Sequence, residues 1–132
     1  MKIFNLMTLC AVASVALVST AAAQSADRGK TLFTSECAAC HSVTPGQNGI
    51  GPSLAGVYGM HAATTPGFHF SVALQTANIV WTDDQLEKFL RDPEIAVAGT
   101  KMPHPGTEMH MGMPSPVDRG DLIAYLRSLP RS

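Results

Sequence analysis

The five residues Cys37-Ala38-Ala39-Cys40-His41 constrain this chain more than anything else in it. Two thiols separated by two residues fall on one turn of backbone, and an imidazole follows at once. A thiol can add to a vinyl group to make a thioether, and the neighbouring imidazole can then bind iron from one side. Cys-x-x-Cys-His is the spacing at which c-type haem is attached. The rival uses of Cys-x-x-Cys are a redox disulfide and half of a zinc site. A zinc ribbon needs a second Cys pair, and the sequence has none; nor does a strand-rich, thioredoxin-like pattern surround this one. The residues therefore point to one covalent haem c on Cys37 and Cys40, with His41 on the iron.

The N-terminus supports that reading. Lys2 is followed by an apolar stretch from Ile3 to Val18, then Ser19, Thr20 and Ala21-Ala22-Ala23. This order is a secretory signal peptide with a cut after Ala23. The apolar stretch is short for a membrane anchor. Residues 1–23 are thus expected to be removed, leaving 24–132 as the working domain, in the bacterial periplasm and without stable membrane insertion. Cys10 leaves with the leader, so two cysteines of three remain. Lys2 leaves too, and eight basic residues (nine less Lys2) then face ten acidic ones, a formal balance of −2. No nucleic-acid footprint is visible in that balance. The length suits one compact domain.

Along the rest of the chain, helix-compatible residues run from Ala26 to Ala39 into the Cys pair. From His41 to about Thr76 the sequence is dense in Gly and Pro, which forbids long regular elements. A structureless stretch of that length argues against a compact domain, unless it wraps something rigid. Helical signals resume at Thr82, an N-cap with Gln85 three residues on, followed by the apolar stripe Leu86, Phe89 and Leu90. Pro93 ends that helix. A second loop from Glu94 to Pro116 carries Met102, His104, Met109, His110, Met111 and Met113. The last helix starts at Ser115 or Asp118, places Leu122, Ile123, Tyr125, Leu126 and Leu129 at helical spacing, and is closed by Pro130. No period-2 alternation argues for a sheet. The expected class is all-α, with three to five short helices and long loops around the haem. Such loops bury little apolar area by themselves, so the haem-free chain is expected to be largely unfolded.

In this order the residues resemble class I cytochromes c of the mitochondrial and bacterial c2-type branch, over essentially the whole of 24–132. Gly29-Lys30 and Phe33 precede Cys37-Ala-Ala-Cys-His41; Gly51-Pro52-Ser-Leu54-Ala-Gly56-Val-Tyr58-Gly59, Pro66-Gly67-Phe68 and Trp81 follow. Gly99-Thr100-Lys101-Met102 is similar to the segment carrying the second axial ligand, and Asp121-Leu-Ile-Ala-Tyr125-Leu to the C-terminal helix. The resemblance implies that Pro52 offers its carbonyl to His41 Nδ1–H, orienting the ring. It implies that Trp81 packs beside the haem and donates to a propionate, and that Tyr58, Phe70 and Phe89 belong to the haem pocket. Gly29 would let the first helix cross the last, against Tyr125. Met102 would be the second axial ligand, and His/Met ligation raises the reduction potential. With both axial positions filled, the implied role is that of a soluble one-electron carrier between redox proteins, monomeric and not an enzyme.

Three departures stand out. About six residues beyond the family's usual length fall in Thr107–Met113, where Met109, Met111 and Met113 offer rival thioethers, and His104 and His110 rival imidazoles. A flexible flap over the haem edge is the plain reading of them; a Cu(I)-binding stretch is the sharper one. A labile sixth ligand would instead allow peroxidase-like chemistry or gas binding. Two family tyrosines appear as Phe70 and Phe89, and a family arginine as Met60. In place of a lysine-rich ring there are Lys30, Lys88 and Lys101, so docking to redox partners is expected to lean less on charge.

Overall fold

The computed structural model describes residues 23–102 and 112–131. Helix α1 spans Ala26–Leu32 and is capped by Ser25, whose Oγ accepts from the Arg28 N–H at 3.3 Å. It does not stop there but widens into a π turn over Phe33–Cys37. Such turns are rare and occur mostly at functional sites. Here the turn carries Cys37 inward beside Phe33, both buried.

Helix α2 (Val72–Thr76) is capped by Ser71, and α3 (Asp83–Arg91) by Thr82, whose Oγ1 accepts from the Gln85 N–H. Helix α4 (Pro93–Ala96) is capped by Asp92, and α5 (Pro116–Ser128) by Ser115. Two of these helices lie where the sequence reads as loop. Helix α2 closes the first long loop, and α4 opens the second. Pro93 therefore both ends α3 and begins α4, because its fixed φ suits a first helical turn. At five and four residues, neither helix is long enough to show an apolar period.

Helix α1 crosses α5, and α3 packs along α5. The crossing depends on Gly29: a Cβ there would stand 2.0 Å from the Asp121 carbonyl oxygen and 2.8 Å from Tyr125 Cβ. Phe33 and Tyr125 close beside it, with ring centroids 5.7 Å apart. Leu86, Phe89, Leu90, Leu122, Ile123 and Leu126 form the core under the crossing. Met113 joins them at 7 % exposure, its N–H on the Leu90 carbonyl at 2.9 Å. Among the described residues there is no strand, and His61 and Val80 form one isolated bridge. None of the described helices is long and apolar enough to cross a membrane. The leader reading rests on residues 1–22, which lie outside the described ones.

Candidate functional site

A cavity of about 370 Å³ opens between the first long loop, the π turn, and helices α3 and α5. That size falls in the range of small-molecule and cofactor sites, roughly 300–1,000 Å³. Its wall is mostly apolar: Phe33, Leu86, Phe89, Leu90, Leu122 and Leu126 from the helices, Phe68 and Phe70 from the loop. Trp81 stands edge-on to Phe89, ring centroids 5.0 Å apart.

Cys37, Cys40 and His41 line this cavity together. The turn after the π segment brings them there: the N–H groups of Cys40 and His41 both donate to the Cys37 carbonyl, at 3.0 and 2.9 Å. No disulfide joins the two cysteines. Burial, helped by Glu36 and then Cys40, pushes the Cys37 thiol up to about 11, so an unattached sulfur there stays protonated at neutral pH.

His41 is held from the far side of its ring. Its Nδ1 lies 2.7 Å from the Pro52 carbonyl oxygen. A carbonyl can only accept, so Nδ1 carries the proton, and in the neutral ring Nε2 keeps its lone pair. Gly51 lies flat against the same ring, where a Cβ would come within 2.4 Å of His41 Cε1. The Gly51 N–H in turn donates to the Cys40 carbonyl at 2.9 Å, tying the two segments together.

Met102, half-buried, also lines the cavity, and its N–H donates to Thr100 Oγ1 at 3.4 Å. Trp81 is 8 % exposed, and its indole N–H forms no hydrogen bond among the described residues. A buried donor in that state calls for an acceptor from elsewhere. No Asp or Glu is found among the described lining residues. The wall thus offers sulfur, imidazole and a free indole donor around an apolar slot. These residues fit a flat, covalently tied, iron-bearing macrocycle with acidic side arms. No cluster of three or more His, Cys, Asp or Glu suited to a bare metal ion occurs among the described residues.

Of the residues singled out from sequence, Cys37, Cys40, His41, Pro52, Phe70, Trp81, Phe89 and Met102 are brought to one cavity. Tyr58 is not: its ring lies under the Arg127 guanidinium, 5.1 Å from the centroid, on the α5 side. Met113 is not either, since its side chain is spent in the core. Met109, Met111, His104 and His110 lie outside the described residues. The structure adds Ile50, His61 and His69 to the wall. Nothing in a Gly- and Pro-rich loop marks these in advance, because their facing is set by turns and not by a period.

Residues 26–130 match the family model described as cytochrome c. The chain is 45 % identical over 104 residues to cytochrome c of Euglena viridis, covering 79 % of this chain and 96 % of that protein. It is likewise 45 % identical over 101 residues to cytochrome c2 of Rhodopila globiformis, covering 76 % and 90 %. Among solved structures, cytochrome cH from Methylobacterium extorquens superposes with a TM-score of 0.67 at 37 % identity, covering 79 % of this chain and 98 % of that one. The slot, its two thiols and the oriented imidazole thus come with a match over nearly the whole described chain: the protein belongs to the cytochrome c family, electron carriers with one covalently attached haem c.

Proposed function

We propose that this chain is a periplasmic, His/Met-ligated electron carrier, exported by a leader cut after Ala23. Cys37 and Cys40 would hold the haem through thioether bonds, and His41 Nε2 and Met102 Sδ would bind its iron. The haem, when bound, supplies reversible one-electron chemistry at iron. The protein's residues do the rest. Pro52 and Gly51 hold the imidazole in one tautomer and one plane. The Met102 thioether, a soft ligand, favours the reduced iron and raises the potential. Trp81 is positioned to give its free N–H to a haem carboxylate, and the apolar wall keeps water from the iron.

The observation that carries this reading is the Nδ1–Pro52 bond, which leaves a lone pair on Nε2 in the cavity that Cys37, Cys40 and Met102 also line. Around the mouth, Ile50 is 78 % exposed and Met60 is also exposed, with Lys101 the one Lys or Arg among the described lining residues. An apolar rim of this kind supports docking to redox partners by contact more than by charge.

The test is the optical spectrum of the protein matured in an exporting host. The ferric form should show the weak long-wavelength band of a thioether–iron bond, lost in Met102→Ala. The colour should survive acid–acetone extraction. A band that persists in Met102→Ala moves the axial role to another residue; pigment that washes out removes the covalent assignment.

A further inference from the structure

The Trp81 indole N–H is not the only donor that the cavity wall leaves open. Ser71, 8 % exposed and on the same wall, caps α2 with its Oγ as acceptor, and its hydroxyl proton has no acceptor among the described residues. Two buried donors of this kind mark where the acidic side arms of a haem would lie. A histidine stands by each of them. The Trp81 backbone N–H donates to the Met60 carbonyl and the Ala62 N–H to the Ile79 carbonyl, both at 2.9 Å, so His61, bridged to Val80, is held beside Trp81. His69 precedes Ser71 by two residues. Both histidines line the cavity, and both are exposed, so solvent protons reach them. Of the three histidines on the wall, only the His41 ring is hydrogen-bonded among the described residues.

Fixed charge is sparse around those side arms. The titratable side chains on the described wall are Cys37, Cys40, His41, His61, His69 and Lys101, with no Asp, Glu, Tyr or Arg among them. The first three hold the haem in the reading proposed above, and Lys101 adjoins Met102. On the α5 side, Arg127 lies over Tyr58 and pairs with Asp83, and Arg131 reaches Gly59, where a Cβ would meet its Nη2 at 2.8 Å; neither lines the cavity. The side chains bonded to the His69 segment, Asn48 and Gln75, are uncharged. A carboxylate carried to the edge of an apolar slot favours a cation beside it. Histidine is the residue type on this wall that gains or loses such a charge between about pH 5 and 8.

We propose that His61 and His69 are the proton-accepting partners of the haem carboxylates and couple reduction to proton uptake; the inference rests on a haem in this cavity, not on which residue fills the sixth position. One electron arrives from the redox partner and makes the occupied slot more negative by one charge. A positive imidazolium at its edge is then favoured, so a proton from solvent adds to an imidazole nitrogen. On oxidation the electron passes to the acceptor and the proton returns to water. Linkage makes the effect reciprocal. A proton on the imidazole raises the reduction potential, and the potential falls as pH rises through the range in which the imidazoles lose their charge.

The experiment is a redox titration of the exported, haem-loaded protein at a series of values between about pH 5 and 8. At a fixed applied potential, the ferrous-to-ferric ratio should fall severalfold across the series. The fall should shrink in His61→Gln and in His69→Gln, and nearly vanish in the double variant. Both side chains are exposed, so the variants should keep the circular dichroism of the parent. Imidazole NMR signals of His61 and His69 should titrate at higher pH in the ferrous protein than in the ferric one. A flat ratio with the pigment retained overturns the coupling alone, whereas pigment that washes out overturns the haem attachment as well. A fall that survives in the double variant gives the titration to another group, such as the haem carboxylates or His104 and His110, and overturns the part given to these two residues. Loss of the thioether–iron band along the series would place the titration on the axial ligand and overturn the proposal too.

Discussion

Arg119 lies against Glu87, its Nε 2.9 and 2.8 Å from the two carboxylate oxygens, while its Nη1 donates to the Met113 carbonyl. One side chain, 6 % exposed, thus ties α3, α5 and the segment entering α5 together. Arg119→Ala leaves the Met113 carbonyl without that donor and Glu87 without its cation. The expected loss is at least about 2 kcal/mol, since charge-assisted hydrogen bonds contribute roughly 1.5–3 kcal/mol each. Denaturant unfolding of the haem-loaded protein measures it, and an unchanged midpoint would count against the tie.

Gly29→Ala sets helix propensity against packing. Propensity favours alanine by about 1 kcal/mol. The contact forbids it, because the atoms a Cβ would meet are the Asp121 carbonyl and Tyr125 Cβ, neither of which can swing away. The variant is expected to be destabilised by about 3 kcal/mol, at the upper end of overpacking costs. A gain in thermal stability would show that α1 and α5 do not cross this closely.

Gly51→Ala acts on the imidazole. A Cβ 2.4 Å from Cε1 and 2.7 Å from Nδ1 must push the His41 ring off its bond to Pro52. The expected outcome is a lower yield of haem-loaded protein and a changed ferric spectrum, together with a stability loss of about 1–3 kcal/mol. Imidazole NMR shifts identical to those of the unaltered protein would refute the contact.

The acid limb of stability should carry the mark of Asp121. The hydrogen bond from Arg28, then that from the Ser25 amide, holds its carboxyl below the usual carboxylate range. Its folded value therefore lies under the unfolded one, near 3.9 for an ordinary Asp. The stability it contributes is complete above about pH 4 and is lost as pH falls through the folded value. Asp121→Asn should lower stability at neutral pH and flatten the curve below about pH 4. Parallel curves for the two proteins would exclude this source.

Removing the haem should unfold the chain. About 370 Å³ of apolar-walled space lies at its centre, and a core with a hole of that size forfeits transfer energy and contacts together. Circular dichroism of the protein made without haem attachment, or with Cys37 and Cys40 both changed to Ala, should show little helix. Native helix content without haem would show that the α1–α5 crossing holds the fold unaided.

The haem signature, the capped helix at Thr82 and the proline boundaries were legible in the order of residues, whereas the glycine at the crossing came only from the family resemblance. Each of the first three depends on neighbours a few positions apart, where covalent geometry and hydrogen-bond reach leave few alternatives. Helices α2 and α4 were not legible, being too short to express a period. The choice of Met102 among the methionines came from the resemblance of Gly99-Thr100-Lys101-Met102 to the family's segment, not from the residue types. Met102 and Met113 are chemically alike, and only the packing of α3 on α5, with Arg119 and the Leu90 carbonyl holding the Met113 backbone, commits one to the core while the other lines the cavity. Tyr58 likewise turns to Arg127 because α5 passes beneath it. The chemistry of attachment was written locally in Cys37, Cys40 and His41; which distant side chains share their cavity was decided by contacts between segments dozens of residues apart.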